Sequence, residues 1–413
     1  MRILHTSDWH LGKTLEGHSR LEEQKLFLEE LVTIVEDQKV DLIIIAGDIY
    51  DTSNPPAAAE KLFYDTMGRI ANFGQRCVLV IAGNHDNPDR LEAASPLANT
   101  HGVILLGSPS SKPELGSYGD IEILEAGDNY INICIRHEEA VIVTLPYPSE
   151  KRLNEIFSTG WDEEIRRQSY SQRIGEIMKR ASKRFRDHTI NLAVSHLYIT
   201  GGRESGSERP IQLGGSYAVE SSMLPDAQYI ALGHLHRSQR VSGSQKRACY
   251  SGSPLQYSRS EAQNSNSVYI VDLVAGQEAQ VEEVFLKNYK PIEIWKCKGI
   301  EEAMEKCRSN SGRNVWAYLE IQTDREITQQ QMKDMKDLVT DIVQIYPKFY
   351  DVEGQDGADQ EDYQEIAIDE LFKGYYKSVY GSEIPEELLT LFYEIVEEGE
   401  EKDEAETAED QGA

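Results

Sequence analysis

The chain has 413 residues, 39% hydrophobic and 27% charged, which excludes collagen-like, low-complexity and wholly disordered chains and leaves room for two or three domains. Lys and Arg number 42 against 71 Asp and Glu, a formal net charge of −29 that opposes unassisted association with a polyanion. The longest apolar run, Leu42 to Ala46, is far below membrane-spanning length, and the first residues carry no segment of signal-peptide length.

Five short apolar runs then share one grammar: each ends in a small or apolar residue and meets Asp, Asn or His at once. Ile3 to Ser7 leads into Asp8 and His10, and Leu42 to Ala46 leads into Gly47-Asp48. Val78 to Ala82 precedes Gly83-Asn84-His85-Asp86, Ile190 to Ser195 precedes His196, and Tyr229 to Leu232 precedes Gly233-His234-Leu235-His236. Continuous apolar runs of this length predict strands buried on both faces. Between the first two runs, Leu21, Leu28, Leu31, Val32 and Val35 fall on one helical face, and Ala57 to Ala71 reads as a second helix opened by Pro55-Pro56. The alternation predicts an α/β domain with a largely parallel sheet, whose functional groups gather beyond the carboxyl ends of the strands.

Residues 163–187 form a charged helical stretch with eight basic and four acidic residues. It reads either as a surface for phosphates or as a solvated helix face. Val268 to Leu273 and Val281 to Leu286 flank Gly276 as a hairpin. Then comes a small α+β unit: a strand over Pro291 to Trp295, a helix over Glu301 to Cys307, a strand over Val315 to Gln322 and a longer helix over Ile327 to Ile345. The expected organisation is 1–288, 289–353, a polar linker at 354–364, two helices within 365–397, and an acidic disordered tail at 398–413. Five scattered cysteines, without a Cys-x-x-Cys pair, predict reduced thiols in a cytosolic protein rather than a disulfide frame or zinc knuckle.

Taken singly, each polar motif has an ordinary reading. Gly-Asp after a strand is usually a turn or cap, and a lone histidine is usually structural. Together they are informative, because five of the ten histidines (His10, His85, His196, His234, His236) fall at strand ends. Mixed carboxylate and imidazole ligands suit borderline divalent metals such as manganese, iron or zinc. The candidate ligands within Asp8-x-His10, Gly47-Asp48, Gly83-Asn84-His85-Asp86, His196 and Gly233-His234-x-His236 exceed the needs of one tetrahedral site. Two ions sharing a carboxylate, roughly 3.5–4 Å apart, are the usual device for phosphoester hydrolysis. Gly47 and Gly83 fit a backbone that must come close to such ions.

These five motifs resemble those of the calcineurin-like metallophosphoesterases, which implies a two-sheet sandwich flanked by helices. Within that superfamily, Thr6 to Gly12, Gly47 to Asp51 and Tyr250 to Tyr257 resemble the SbcD family of nuclease subunits, a similarity running to about residue 396. The resemblance implies one ion on Asp8, His10 and His236, another on Asn84, His196 and His234, and Asp48 bridging. It makes His85 a catalytic group rather than a ligand; apart from the resemblance, the nearby Asp86 is expected to orient it. Asp51 stands where archaeal and eukaryotic relatives carry a second active-site histidine, so that histidine's role is not carried over.

The resemblance further implies a manganese-dependent DNA nuclease, a 3′→5′ exonuclease on duplex ends and an endonuclease on single strands and hairpins, serving recombination, replication and repair. Residues 290–352 would cap the site, or else simply pack beside it. The C-terminal stripes, including Leu371, Phe372, Tyr375, Leu388 and Phe392, would dock on the coiled-coil base of an SbcC-type ATPase, or else on the chain's own core. A homodimer within a heterotetramer follows from the same likeness, and the ATPase would supply the basic groove that a −29 chain lacks. Two other readings stay open: a phosphodiesterase or phosphatase of the superfamily acting on other substrates, and a non-catalytic scaffold tethering an ATPase.

Overall fold

The computed structural model describes residues 1–149, 151–153, 169–208, 218–242 and 248–349, with Phe372, Lys373, Tyr376, Ile384, Pro385, Leu388, Leu389 and Phe392. Met1–Glu208 and Ala218–Lys348 form one compact unit. Two sheets make its body. The six-stranded sheet runs in the order Gln280–Phe285, Ser267–Asp272, Arg2–Thr6, Leu42–Ala46, Cys77–Ile81, Val103–Leu106. Its last four strands are mutually parallel, and the hairpin joins them antiparallel. The eight-stranded sheet is mixed: Ala248–Tyr250, Tyr229–Gly233, Ile190–His196 and Glu138–Leu145 lie parallel, and antiparallel strands extend it on both sides. The strands between Val103 and Leu145 were not expected from the sequence.

The packing explains the continuous apolar runs. Successive side chains of a strand point to opposite faces. Leu4, Ile43, Ile45, Val78 and Val80 therefore pack with Leu28, Leu31, Phe63 and Met67 of the helices Leu21–Asp37 and Ala57–Ala71. Ile3, Leu42, Ile44, Leu79 and Ile81 face the other sheet through Ile133, Ile142, Leu192 and Val194. Both faces are dry, so neither can alternate with polar residues. The helix Ala57–Ala71 ends at Asn72 in the left-handed conformation, φ 46°, a residue type that tolerates it. The helix Tyr170–Ala181 opens on a capping box between Ser169 and Gln172. Beyond it, Arg184 and Arg186 pair with Glu125, and Arg186 also with Glu139.

Residues 292–349 build a three-stranded sheet. Ile292–Lys298 and Trp316–Thr323 lie parallel, joined by the helix Ile300–Ser309, and Ile342–Phe349 completes the sheet. This last strand corrects the longer helix expected over Ile327 to Ile345. The helix spans only Gln329–Leu338, opened by a Thr328–Gln331 capping box, and Val339 leaves the helical conformation. The β-branched and aromatic run Ile342, Val343, Ile345, Tyr346 fits a pleated surface better than a helix. Ile342 packs into one face and Val343 into the other.

That second face rests on the body of the molecule. Arg20, 1% exposed, donates from Nε and Nη2 to Glu23 (2.7 and 2.6 Å) and from Nη1 to the Gln256 carbonyl (2.7 Å). Trp316 Nε1 donates to the same Glu23 carboxylate at 2.9 Å, and the Arg20 guanidinium lies 5.8 Å from both the Trp316 and Tyr257 rings. All five cysteines are free, and four are buried. No helix among the described residues is long and apolar enough to cross a membrane. The linker at 354–364, the acidic tail at 398–413, Leu371 and Tyr375 lie outside the described residues. Phe372 and Phe392 stack with ring centroids 4.1 Å apart, and the Leu388 N–H donates to the Pro385 carbonyl at 3.1 Å.

Candidate metal centre

Strand register brings the five polar endings to one place. Thr6 pairs with Ile45 and Ala46 with Ile81, so the loops carrying Asp8, Asp48 and Asn84 leave the six-stranded sheet side by side. His196 pairs with Gly233, which sets His196 beside His234 on the other sheet. The Asp8 N–H donates to the Gly47 carbonyl and the His10 N–H to the Asp48 carbonyl, both at 3.0 Å. Asp8, His10, Asp48 and His234 all have positive φ, at 55°, 44°, 51° and 109°. Non-glycine residues rarely sit there, and such strain is held where the surrounding structure over-determines it.

Two glycines are required sterically. A Cβ on Gly47, whose φ is 92°, would stand 2.3 Å from His196 Nδ1, and one on Gly83 would stand 2.1 Å from Asp48 Oδ1. Only the bare backbone lets these loops close on one another.

Asp48 lies at the centre. Its Oδ2 is 3.4 Å from His196 Nε2, 3.7 Å from His10 Nε2 and 4.0 Å from His85 Nε2, while its Oδ1 accepts the His85 N–H at 2.9 Å. On one side, His10 Nε2 and His236 Nε2 approach to 3.0 Å. On the other, His196 Nε2 lies 2.9 Å from Asn84 Oδ1, and the His234 ring centroid is 5.4 Å from that of His196. Ligand atoms of Asp8, His10 and His236 fall within 4.8 Å of one another, as do those of Asp8, Asp48 and His196, and those of His10, Asp51 and His85. All the expected ligands except Asn84 are buried.

The imidazoles are aimed by what lies behind them. Nδ1–H of His196 donates to the Ala46 carbonyl (2.9 Å), that of His236 to Glu261 (2.9 Å), and that of His85 to the Asp51 carbonyl (2.7 Å). Each bond turns Nε2 toward the pocket. The anchor behind His85 is therefore the Asp51 carbonyl, where Asp86 was expected. Asp86 accepts backbone N–H groups of Ile49, Tyr50 and Gly83, bracing the two loops.

Electrostatics mark the cluster as a cation site. Burial pushes the Asp8 carboxyl up to about 6 and the His10 imidazole down to about 3. Burial opposes the charge on Asp48 too, but His196, His85 and His10 hold its carboxyl well below the usual range. The same balance runs the other way at His196 and His236. There burial is outweighed by Asp48 for the first and Glu261 for the second, and both imidazoles rise to about 9. Charge compensation is thus carried by protons on ring nitrogens that point at shared space. A divalent cation substitutes for such protons, and the nitrogen-plus-carboxylate donor set fits a borderline ion.

Glu261, and Ser207, whose Oγ lies 2.8 Å from the same His236 Nδ1 and donates to Glu261, were not foreseen. Glu261 is fully buried, yet it stands in the polar stretch Ser258-Arg259-Ser260-Glu261, where a lone acid looks like any surface residue.

Among known families, residues 1–238 match the calcineurin-like phosphoesterases, and residues 288–380 match the type 5 capsule protein repressor C-terminal domain. The chain is 42% identical over 406 residues to a Bacillus subtilis protein named as the SbcD subunit of the nuclease SbcCD, covering 98% of this chain and 100% of that one. Proteins of the same name from Staphylococcus epidermidis and Rhodobacter capsulatus are 30% and 34% identical, over 84% and 67% of this chain and 83% and 67% of theirs.

Proposed function

The chain belongs to the calcineurin-like phosphoesterases and, within them, to the SbcD family of SbcCD nucleases, and from that premise we propose that it is the nuclease subunit of an SbcCD-type complex, hydrolysing DNA phosphodiesters with two divalent ions. Asp8, His10 and His236 hold one ion in this reading, Asn84, His196 and His234 the other, and Asp48 reaches both. The position of Asp48 Oδ2, within 4.0 Å of three imidazole nitrogens, is the observation that carries it.

When bound, such an ion pair supplies Lewis acidity for the attacking water and for the charge that grows on the phosphate. The chain's own groups do the rest. Asp48 and Asp8 fix the pocket's negative charge, and their backbone bonds keep it rigid. His85, anchored through Nδ1, presents Nε2 to the same space, where it stabilises the transition state or protonates the leaving oxygen. A buried pocket with prearranged dipoles needs little reorganisation during the reaction.

The finer reading is manganese as the ion, 3′→5′ exonuclease action on duplex ends, and endonuclease action on single strands and hairpins. It includes a homodimer joined to two SbcC-type ATPase subunits in the cytoplasm, acting in recombination, replication and repair. The ATPase contributes the positive field for DNA, since the chain itself carries −29. The Phe372 and Phe392 pair and Leu388, with Leu371 and Tyr375, form the docking stripe on that partner.

A nuclease assay tests this directly: end-labelled linear duplex and hairpin DNA, with manganese, with and without the ATPase. Partner-stimulated cleavage of both substrates is expected. Cleavage of small phosphodiesters alone, indifferent to the partner, would move the chain to another branch of the superfamily.

A further inference from the structure

The imidazoles of the centre are not supported alike. His196 and His85 each donate Nδ1–H to a neutral backbone carbonyl. His10 Nδ1 lies 3.5 Å from Asp51 Oδ1, and that same oxygen receives Lys13 Nζ at 2.7 Å, so its charge is already offset. His236 differs. Its Nδ1–H donates at 2.9 Å to Glu261 Oε1, and among the described residues this is Glu261's one ion pair.

Glu261 is fastened for that purpose. Its side chain has no solvent exposure, the Ser205 and Ser207 hydroxyls donate to Oε1, and the Tyr257 N–H donates to Oε2 at 2.7 Å. The Tyr257 ring stands edge-on to both His10 and His236, with centroids 5.5 and 6.2 Å away. Glu208 adds a second carboxylate by accepting the His236 N–H at 3.0 Å. A buried carboxylate behind a ligating imidazole makes that imidazole a stronger donor, and losing such a partner typically weakens metal affinity about 10–100-fold.

Resting on the two-ion reading, we infer that Glu261 is a positioning residue that makes the two ion sites unequal, giving the site of Asp8, His10 and His236 the tighter hold through His236. The effect is local to one ion, because neither His196 nor His234 is joined to Glu261.

Manganese titration of the full chain, followed by calorimetry and by the electron-paramagnetic-resonance signal of free manganese, resolves the two sites. Wild type should bind two ions with unequal affinity. Glu261→Gln keeps an acceptor for Nδ1–H but removes the charge, and it should weaken the tighter ion about 10–100-fold while leaving the other unchanged. Glu261→Asp, which retains charge at a shorter reach, should recover part of that loss. Equal wild-type affinities, unchanged binding in Glu261→Gln, or equal weakening of both ions would overturn the assignment. Loss of folding in both variants would reject it in favour of a purely structural role. Failure of the wild type to bind manganese would instead sink the two-ion reading itself.

Discussion

Asp48 Oδ2 lies 3.4 Å from His196 Nε2, and the two residues come from different sheets. One carboxylate therefore ties together loops that share no hydrogen-bonded ladder. Removing its charge tests binding. Asp48→Asn should lower the metal content of purified protein, read by elemental analysis, and abolish cleavage with it. Full metal occupancy in that variant would show that the carboxylate does not bridge.

His85 offers the complementary case. His85→Gln should keep the metal content of wild type and lose about 10²–10⁴-fold in cleavage rate, the usual contribution of a positioned proton donor. An unchanged rate would remove His85 from the reaction.

Gly47→Ala places a methyl group 2.3 Å from His196 Nδ1 at a backbone φ of 92°. Local strain of about 1–3 kcal/mol is expected, seen as a lower unfolding midpoint, together with loss of metal. A variant that binds metal normally would mean the loops have slack that the geometry denies.

Proton release gives a pH test. His196 and His236 sit at about 9. Both are protonated at neutral pH, and an arriving ion must displace those protons. Apparent affinity should therefore climb as pH rises toward about 9, and flatten above it. Asp8, at about 6, adds a third competing proton on the acid side. Calorimetry in buffers of different ionisation enthalpy counts the protons, and a pH-independent affinity between 6 and 9 would contradict the assignment.

The Arg20–Glu23 pair supports a stability prediction. Glu23→Ala leaves the Arg20 guanidinium buried without its counter-charge and takes the acceptor from Trp316 Nε1. Denaturant unfolding should show a loss of about 3–5 kcal/mol, whereas replacing Arg20 and Glu23 together by apolar residues should cost much less. Equal losses would mean that packing, not charge, dominates there.

Much of this architecture was readable beforehand, for a physical reason. Strands buried on both faces must be apolar throughout, so Leu42–Ala46 and Cys77–Ile81 announce themselves, and the abrupt polar residue after each marks where the chain leaves the sheet. Other features leave no such trace. Ile121–Gly127 alternates buried and exposed side chains only over its first four residues, a short pattern easily lost among loop residues. Ile342–Phe349 follows a real helix without an intervening glycine or proline, so its change of period is visible only once its neighbour Trp316–Thr323 is placed. Glu261 gains its meaning from His236 and Ser207, partners scattered through the chain, and no local pattern encodes that meeting.

The proposed ligands are divided between the two sheets, and this division reaches beyond chemistry. Asp8, His10, Asp48 and Asn84 leave one layer, while His196, His234 and His236 leave the other. Bound cations would then act as rivets through the sandwich, coupling mineral supply to the mechanical integrity of the whole body. Chelation should loosen the layers as well as silence the reaction, by an amount that grows with the logarithm of the ion concentration withdrawn.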